Sequence, residues 1–151
     1  MRKARAEADP GLIILDTHVW IWIMEGAKNE LTSTTISLIE DAGDRSALVV
    51  SAISVWEVAM LETKGRLTLS RSAHEWVSAA LTAKGLRLAD LTPEIALESS
   101  RLPGELHGDP TDRIIVATAR VLGATMITCD ERILTYGMGG HVRVRSGRSR
   151  G

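Results

Sequence analysis

Five short strand-like segments alternate with stretches of helical periodicity, and this alternation constrains the fold more than any other feature of the chain. Each segment is three or four residues long, and the polar and apolar residues that follow it are spaced as in amphipathic helices. Repeated strand and helix order with short connections is typical of a parallel sheet covered by helices on both faces. The sequence therefore predicts an α/β fold with strands at residues 12–15, 48–50, 86–89, 125–128 and 142–144.

The length of 151 residues suits a single domain, and a composition with 44% hydrophobic and 25% charged residues is that of an ordinary globular protein. We place the domain at 12–145 and expect a disordered extension at 1–11 and a disordered basic tail at 146–151. The longest apolar run, 19–24, is too short to cross a bilayer, and no signal peptide is evident at the start. With a single cysteine, Cys129, and no disulfide, the expectation is a cytoplasmic protein without a membrane partner.

Four acidic residues stand where an apolar segment gives way to a predicted helix: Asp16, Glu57, Asp112 and Asp130. Their spacings of 41, 55 and 18 residues are too wide for a local motif, so only the fold can bring them together. Ligands of open parallel sheets bind at the carboxyl ends of the strands, which is where these acids are predicted to lie. Carboxylates gathered there would repel one another unless a cation were bound, and a set of oxygen ligands favours Mg²⁺ or Mn²⁺ over zinc. Such a site suits hydrolysis of a phosphodiester by an activated water.

Helix capping offers a second interpretation of three of these acids, because a helix start favours a carboxylate without any ligand. Asp16 is different in that it ends a buried strand, where a carboxylate requires a partner or a metal. Capping and metal binding are compatible, since a cap fixes the backbone from which a neighbouring carboxylate points. The three possible caps are a Ser54 to Glu57 capping box, Asp109 as N-cap with Asp112 at the third helical position, and a Thr128 to Glu131 capping box with Asp130 at the second helical position.

Around the four acids the sequence resembles the PIN-domain ribonucleases, and within them the VapC-like toxins of bacterial and archaeal toxin–antitoxin pairs. The resemblance extends from residue 12 to about residue 144 and includes every acid of the family's core set. It rests on four ordered blocks: LIILDTHVWIW (12–22), SAISVWEVAMLETKGRL (51–67), LPGELHGDPTDRIIVATA (102–119) and ATMITCDERIL (124–134).

The resemblance implies a three-layer α/β/α sandwich and a Mg²⁺- or Mn²⁺-dependent endoribonuclease that acts as a toxin. It further implies an RNA substrate, a cognate antitoxin whose tail occupies the active-site groove, a homodimer and a higher toxin–antitoxin assembly. Asp16 and Asp112 match the principal metal ligands of the family. Glu57 and Asp130 match the acids that complete the catalytic pocket, directly, through water or by holding a second ion.

Three further residues are expected to support this acidic set. Thr17 and Thr128 match family threonines, and their hydroxyls can orient carboxylates by hydrogen bonds without adding charge. Asp109 matches an acid common in the subgroup and is interpreted as a helix cap. Arg113 could contact phosphate, pair with Asp109 or form a helix-surface ion pair, and it is left outside the catalytic set.

Other conspicuous residues have more ordinary interpretations. The tryptophans could stack on bases, but with no phenylalanine in the chain they are expected to form core or interface contacts. A histidine could act as a general base, yet a metal-bound water needs none, and only His107 is predicted to lie near the site. Cys129 is expected to be a small apolar residue rather than a nucleophile. Helix 17–25 is apolar nearly all round, which indicates deep burial or a protein interface. These residues are Trp20, Trp22, Trp56 and Trp76, and His18, His107 and His141.

Two other functions remain open at this stage. A Mg²⁺-dependent phosphatase or phosphotransferase on a related α/β fold would also place an acid after its first strand. Against it, the motif reads Asp16-Thr17-His18, with no second acid two residues later to act on the leaving group. A non-catalytic binding module whose acids are only helix caps is the alternative from a different class.

Overall fold

The computed structural model describes residues 11–148, and within this range five strands form one parallel sheet. The strands are β1 (Ile13–Leu15), β2 (Leu48–Ser51), β3 (Leu86–Ala89), β4 (Thr125–Thr128) and β5 (Arg143–Ser146). Their order in the sheet is β3-β2-β1-β4-β5, and every neighbouring pair is parallel. The predicted parallel sheet is confirmed, and its fifth strand lies at one edge.

Seven α-helices connect these strands within residues 11–148. They are α1 (Thr17–Glu25), α2 (Ser33–Asp44), α3 (Ala52–Thr63), α4 (Ala73–Ala80), α5 (Pro93–Ser100), α6 (Pro110–Leu122) and α7 (Glu131–Met138), with a 3₁₀ turn at Lys28–Glu30. No helix in this range is long and apolar enough to cross a membrane.

The helices cover both faces of the sheet, because successive side chains of each strand point to opposite faces. Along β1, Ile13 and Leu15 belong to a core that includes residues of α1, α2 and α4. Ile14, between them, belongs to a second core that includes residues of α5, α6 and α7. All three residues are buried. The two cores on either side of one sheet make the three-layer α/β/α sandwich that the resemblance implied.

The position of β1 determines where a ligand can bind. From β1 the chain proceeds to β2 and β3 on one side of the sheet, and it then returns to place β4 and β5 on the other side. The strand order therefore reverses at β1, and in open parallel sheets a crevice forms outside the carboxyl ends of the strands at such a point. Here the crevice lies beyond the ends of β1 and β4.

The structure confirms one of the three predicted caps and corrects the other two. Asp109 is the N-cap of α6, and its Oδ1 accepts a hydrogen bond of 3.0 Å from the backbone N–H of Asp112. The Ser54 to Glu57 capping box is wrong, because β2 continues directly into α3 and Ser51 is the N-cap. The Thr128 to Glu131 box is wrong as well, since Thr128 is still in β4.

Asp16 and Asp130 turn out to be N-caps themselves. Asp130 accepts hydrogen bonds from the backbone N–H groups of Arg132 and Ile133, and Asp16 accepts one from that of Thr17. Asp16 is therefore not the exception that the sequence suggested. It ends a buried strand and caps a helix at the same time, because no loop separates β1 from α1.

The expected disordered tail at 146–151 is corrected in its first part. Ser146 is the last residue of β5, the backbone N–H of Gly147 donates to the carbonyl of Thr128, and Arg148 forms an ion pair with Glu30. Sequence reasoning stopped the last strand too early because its alternating polar residues indicate an edge strand only weakly. Residues 1–10 of the expected extension and residues 149–151 of the tail lie outside the described residues.

Candidate active site

A cleft of about 340 Å³ lies at the carboxyl ends of β1 and β4. All four acids singled out in the sequence line it, although they come from four separate parts of the chain. A fifth carboxylate joins them. The set is Asp16, Glu57, Asp109, Asp112 and Asp130.

Asp16 is the most buried of these acids together with Asp112, each with 9% of its surface exposed. Its Oδ1 accepts a hydrogen bond of 2.8 Å from the backbone N–H of Thr17, and its Oδ2 accepts one of 2.6 Å from the hydroxyl of Thr128. Burial raises the pKa of Asp16 above its ordinary value, while these two hydrogen bonds act in the opposite direction. The carboxylate is thus fixed at the end of β1 with both oxygens oriented.

The pKa of Asp112 is raised far above its ordinary value. Burial raises its pKa to about 7, and the negative charges of Asp109, Asp16, Asp130 and Glu57 add to the rise. The side chain packs closely against Gly108, where a Cβ atom would lie 2.8 Å from the Cβ of Asp112. A side chain at position 108 would displace the carboxylate, which explains a glycine just before the helix cap.

The pKa values of Glu57 and Asp130 are shifted in opposite directions. Burial raises the pKa of Glu57, and the charges of Asp16 and Asp109 contribute to the rise. Burial also acts to raise the pKa of Asp130, but hydrogen bonds from the side chain of Arg132 and from the N–H groups of α7 lower it overall. At neutral pH, Asp130 is therefore ionised, whereas Asp112 is only partly so.

Two threonines connect the acids to the sheet. The Thr128 hydroxyl donates to Asp16 and accepts a hydrogen bond of 3.0 Å from the backbone N–H of Asp130, so it links two of the acids. The Thr17 hydroxyl donates to the hydroxyl of Ser54 at 2.8 Å, one turn before Glu57. Both threonines and Ser54 are fully buried or nearly so.

Sequence reasoning missed three residues that also line the cleft: His18, Arg132 and Arg148. His18 directly follows the Asp16-Thr17 pair, and the positive charge it can carry lowers the pKa of Asp16. Arg132 lies two residues after Asp130, but an exposed arginine near an acid is too common in sequences for this spacing to indicate a site. Arg148 comes from the far end of the chain, and only the pairing of β5 with β4 brings it to the cleft.

The other side chains considered in the sequence are placed elsewhere or have structural roles. The Arg113 side chain is not part of the cleft lining and instead donates to the carbonyls of Ser99 and Leu106, so it holds the segment before α6. His107 is exposed and is not part of the cleft lining, whereas His18 is, so the expectation about the histidines is corrected. His141 packs against the ring of Tyr136.

The tryptophans divide between the core and the surface. Trp20 and Trp76 are buried and pack edge to face at 5.0 Å, as the core interpretation predicted. Trp22 is half-buried in the cleft wall, and Trp56 is 53% exposed in a groove between α3 and α6. Helix α1 buries Val19, Trp20 and Ile21 in the core, so burial accounts for part of its apolar character, and the protein interface stays a prediction.

Cys129 is half-buried at the edge of the cleft. Burial raises the pKa of its thiol, so the sulfur is protonated at neutral pH and is a poor nucleophile. This agrees with the apolar role expected for it.

The donor set of the cleft fits a hard divalent cation in its chemistry. Buried carboxylates that raise one another's pKa are stabilised when a cation is bound between them. Every acid in the cleft offers oxygen atoms as ligands, which a hard cation prefers. As the side chains stand, however, no three acidic, histidine or cysteine groups within residues 11–148 form a ready ligand set. The oxygens of Asp16 are directed to Thr17 and Thr128, and the Arg132 guanidinium lies 3.7 Å from Asp112. An ion held by these acids would therefore require some of their side chains to move.

The fold and the cleft together define a class of protein: a parallel α/β sandwich with a cluster of carboxylates at the point where the strand order reverses. A family model described as PIN domain matches residues 13–137. The chain belongs to the PIN domain family, whose ribonucleases generally depend on divalent metals.

Individual relatives agree with this assignment. The chain is 32% identical over 124 residues to Ribonuclease VapC22 of Mycobacterium tuberculosis, an alignment that covers 82% of this chain and 91% of the relative. Its fold is similar to that in the crystal structure of VapBC2 from Rickettsia felis bound to a promoter DNA fragment, with a TM-score of 0.67, 13% identity, and coverage of 89% of this chain and 98% of that one. The DNA-bound VapBC structure from Salmonella typhimurium gives a TM-score of 0.63 with 17% identity, covering 90% of this chain and 98% of that one.

Proposed function

We propose that this protein is a divalent-metal-dependent endoribonuclease that hydrolyses RNA phosphodiester bonds as the toxin of a toxin–antitoxin pair. The observation that carries the proposal is the convergence of Asp16, Glu57, Asp112 and Asp130 in one cleft, where like charge and burial raise the pKa of Asp112 to about 7. Membership of the PIN domain family and the similarity to a protein named as a ribonuclease support it.

In this proposal Asp16 and Asp112 hold a Mg²⁺ or Mn²⁺ ion, and Glu57 and Asp130 complete the acidic pocket. A bound ion of this kind supplies Lewis-acid activation of a water and of a phosphodiester oxygen. Thr128 orients the Asp16 carboxylate through its hydrogen bond of 2.6 Å and fixes the start of α7. Thr17 and Asp109 support the backbone from which the ligands point.

The proposal includes two protein partners, a small cognate antitoxin and a second copy of the chain within a larger toxin–antitoxin assembly. Toxin–antitoxin complexes are among the solved structures with the same fold. A groove of about 450 Å³ between α3 and α6 is mainly apolar and presents Trp56, Met60 and Ile114, which is suited to a protein contact. An RNA substrate and an antitoxin partner place the activity in the cytoplasm.

The other two functions receive no support from the site. A phosphatase would need a second acid two residues after Asp16, and this chain has His18 at that position. The acids do cap helices, but the same acids also converge in one cleft, which capping alone does not require.

The test is cleavage of total cellular RNA by purified, antitoxin-free protein in Mg²⁺ and in Mn²⁺. We expect cleavage by the wild type and loss of it in the Asp112→Asn variant. Equal cleavage by both proteins, or none by the wild type in either metal, would contradict the proposal. Thermal unfolding with and without Mn²⁺ tests the metal site separately, since an ion that binds the folded state raises the melting temperature.

A further inference from the structure

The negative charges of the acidic cleft repel RNA, which is itself a polyanion. The chain carries a formal net charge of −1, so it offers no overall attraction for a polyanion. Five carboxylates line the cleft and repel phosphates locally. Affinity for RNA comes mainly from cationic side chains that contact phosphates. Two arginines in the lining of this cleft, Arg132 and Arg148, supply such charges.

Arg132 lies beside the acids that are proposed to do the chemistry. Its guanidinium is 3.3 Å from Oδ2 of Asp130 and 3.7 Å from Oδ2 of Asp112, and it also donates to the carbonyl of His107 at 3.1 Å. The side chain is 59% exposed. Exposed ion pairs contribute little to stability, so exchanging these contacts for a phosphate costs little.

Arg148 lies on the wall of the cleft formed by α1 and the end of β5. Its guanidinium pairs with Oε1 of Glu30 at 2.6 Å and stacks over the ring of Trp22, 4.7 Å from the ring centroid. Because the carboxylate and the aromatic face fix its orientation, the charge is held at the cleft rather than in free solvent. About half of the side chain, 52%, remains exposed to a ligand.

We propose that Arg132 and Arg148 are phosphate-binding residues that hold a single-stranded segment of RNA across the acidic cleft. The inference rests on the proposed function and names the residues by which that same site recognises its substrate. A planar guanidinium binds phosphate oxygens through two parallel hydrogen bonds, and two such groups on different walls fix both position and direction of a strand. Arg132 binds the phosphate next to the carboxylates, and Arg148 binds another phosphate along the strand.

The test separates RNA binding from RNA cleavage. A short fluorescein-labelled single-stranded RNA is titrated with protein in Ca²⁺, and gels of the same samples show whether the RNA remains intact. We expect Arg132→Gln and Arg148→Gln each to weaken binding roughly tenfold and to reduce the slope of log Kd against log salt by about 0.7, the value for one phosphate contact on a single strand. The double variant should lose about twice that slope.

Charge-conserving and distant variants distinguish phosphate binding from a structural effect. Arg132→Lys and Arg148→Lys should retain the salt slope of the wild type, because one charge per site is retained. Arg87→Gln removes an exposed arginine of β3 that is not part of the cleft lining and should change neither affinity nor slope. Melting temperatures of all variants show that each is folded.

The outcomes separate this inference from the function on which it rests. If the wild type binds and cleaves RNA but both glutamine variants keep its affinity and slope, the assignment of Arg132 and Arg148 is wrong and the nuclease function survives. A loss of affinity with unchanged slope would also overturn it, since the arginines would then act on structure. A wild type that neither binds nor cleaves RNA overturns both.

Discussion

Two cavities lie at opposite ends of the sheet. One brings side chains of like charge together, and the other contains an ion pair of opposite charges. At the carboxyl ends of β1 and β4, five carboxylates share a cleft of about 340 Å³. At the other end, a cavity of about 1000 Å³ is bordered by the starts of β4 and β5 and by the end of α6. There Arg120 pairs with Glu98 at 2.7 Å and also donates to the carbonyl of His141.

The difference between the two ends shows which of them is arranged for stability. Opposite charges at Arg120 and Glu98 attract each other across 2.7 Å. In the cleft, burial and four neighbouring acids raise the pKa of Asp112. Arrangements that destabilise their own charged groups are typical of functional sites. We therefore expect substitutions in the cleft to affect activity most and substitutions at the opposite end to affect only stability.

The largest expected effect is that of Asp112→Asn on RNA cleavage. The amide has the shape of the carboxylate but lacks the charge that holds a divalent ion, so the cleavage rate should fall roughly 100-fold or more. Cleavage rates at saturating Mn²⁺ measure this effect. If the variant keeps more than half of the wild-type cleavage rate, the cleft is no more important for activity than the other end of the sheet.

Thr128→Val should have the next largest effect and should act on both activity and stability. The hydroxyl donates to Asp16 and accepts from the N–H of Asp130, and valine has nearly the same shape but can do neither. We expect cleavage to fall roughly tenfold and the free energy of unfolding to fall by about 1–3 kcal/mol. Urea unfolding and cleavage assays measure the two changes, and Thr125→Val at the start of the same strand is the matched control.

The alternation of strand-like and helix-like segments was sufficient to predict the sheet, and its central strands β1, β2 and β4 are short, mostly apolar runs that are largely buried, as is typical of parallel strands. The end of β5 was missed, since only Val144 of its four residues is apolar and an edge strand of this kind carries little hydrophobic signal. Cap positions were also missed at α3 and α7. Local patterns indicated Ser54 and Thr128, but direct continuation of a strand into a helix moves the cap to the residue at the junction.

The acids of the site were predictable from their positions after strands, whereas the basic residues were not. Asp16 directly follows β1 and Asp130 lies two residues after β4, and the pairing of these neighbouring parallel strands brings their ends together. Arg148 reaches the cleft only because β5 pairs with β4, so its location depends on a strand whose end the sequence did not reveal. Cations on a surface are too common for their spacing in sequence to indicate a site.

The pH dependence of the free energy of unfolding should also distinguish the acidic cleft from the other end of the sheet. Folded Asp112 has a pKa of about 7, raised from 3.8, so the unfolded chain releases this proton at a lower pH than the folded protein does. Its contribution to stability is complete below about pH 4, falls as the pH rises to about 7, and is constant above that. Asp130, whose pKa is lowered, acts in the opposite direction but only below this window, where its stabilisation is lost as pH falls.

In EDTA, we expect the free energy of unfolding of the wild type to fall between pH 4 and 7 by on the order of 2 kcal/mol more than that of Asp112→Asn. The raised pKa values of Asp16 and Glu57 act in the same direction in both proteins. Urea unfolding at several pH values measures it. Parallel stability curves for the two proteins would mean that Asp112 is not perturbed as the structure indicates.

The smallest effect is expected from Glu98→Gln, which removes a carboxylate charge at the other end of the sheet as Asp112→Asn does in the cleft. Glu98 and Arg120 are partly buried, with 27% and 28% of their side chains exposed, so loss of the ion pair should lower the free energy of unfolding by about 1 kcal/mol or less. Asp112→Asn should raise the free energy of unfolding in EDTA at pH 8, because it removes a charge that its neighbours repel. Cleavage by Glu98→Gln should equal that of the wild type. The two substitutions should therefore change the free energy of unfolding in opposite directions. Changes of the same sign would contradict the proposed difference between the two ends of the sheet.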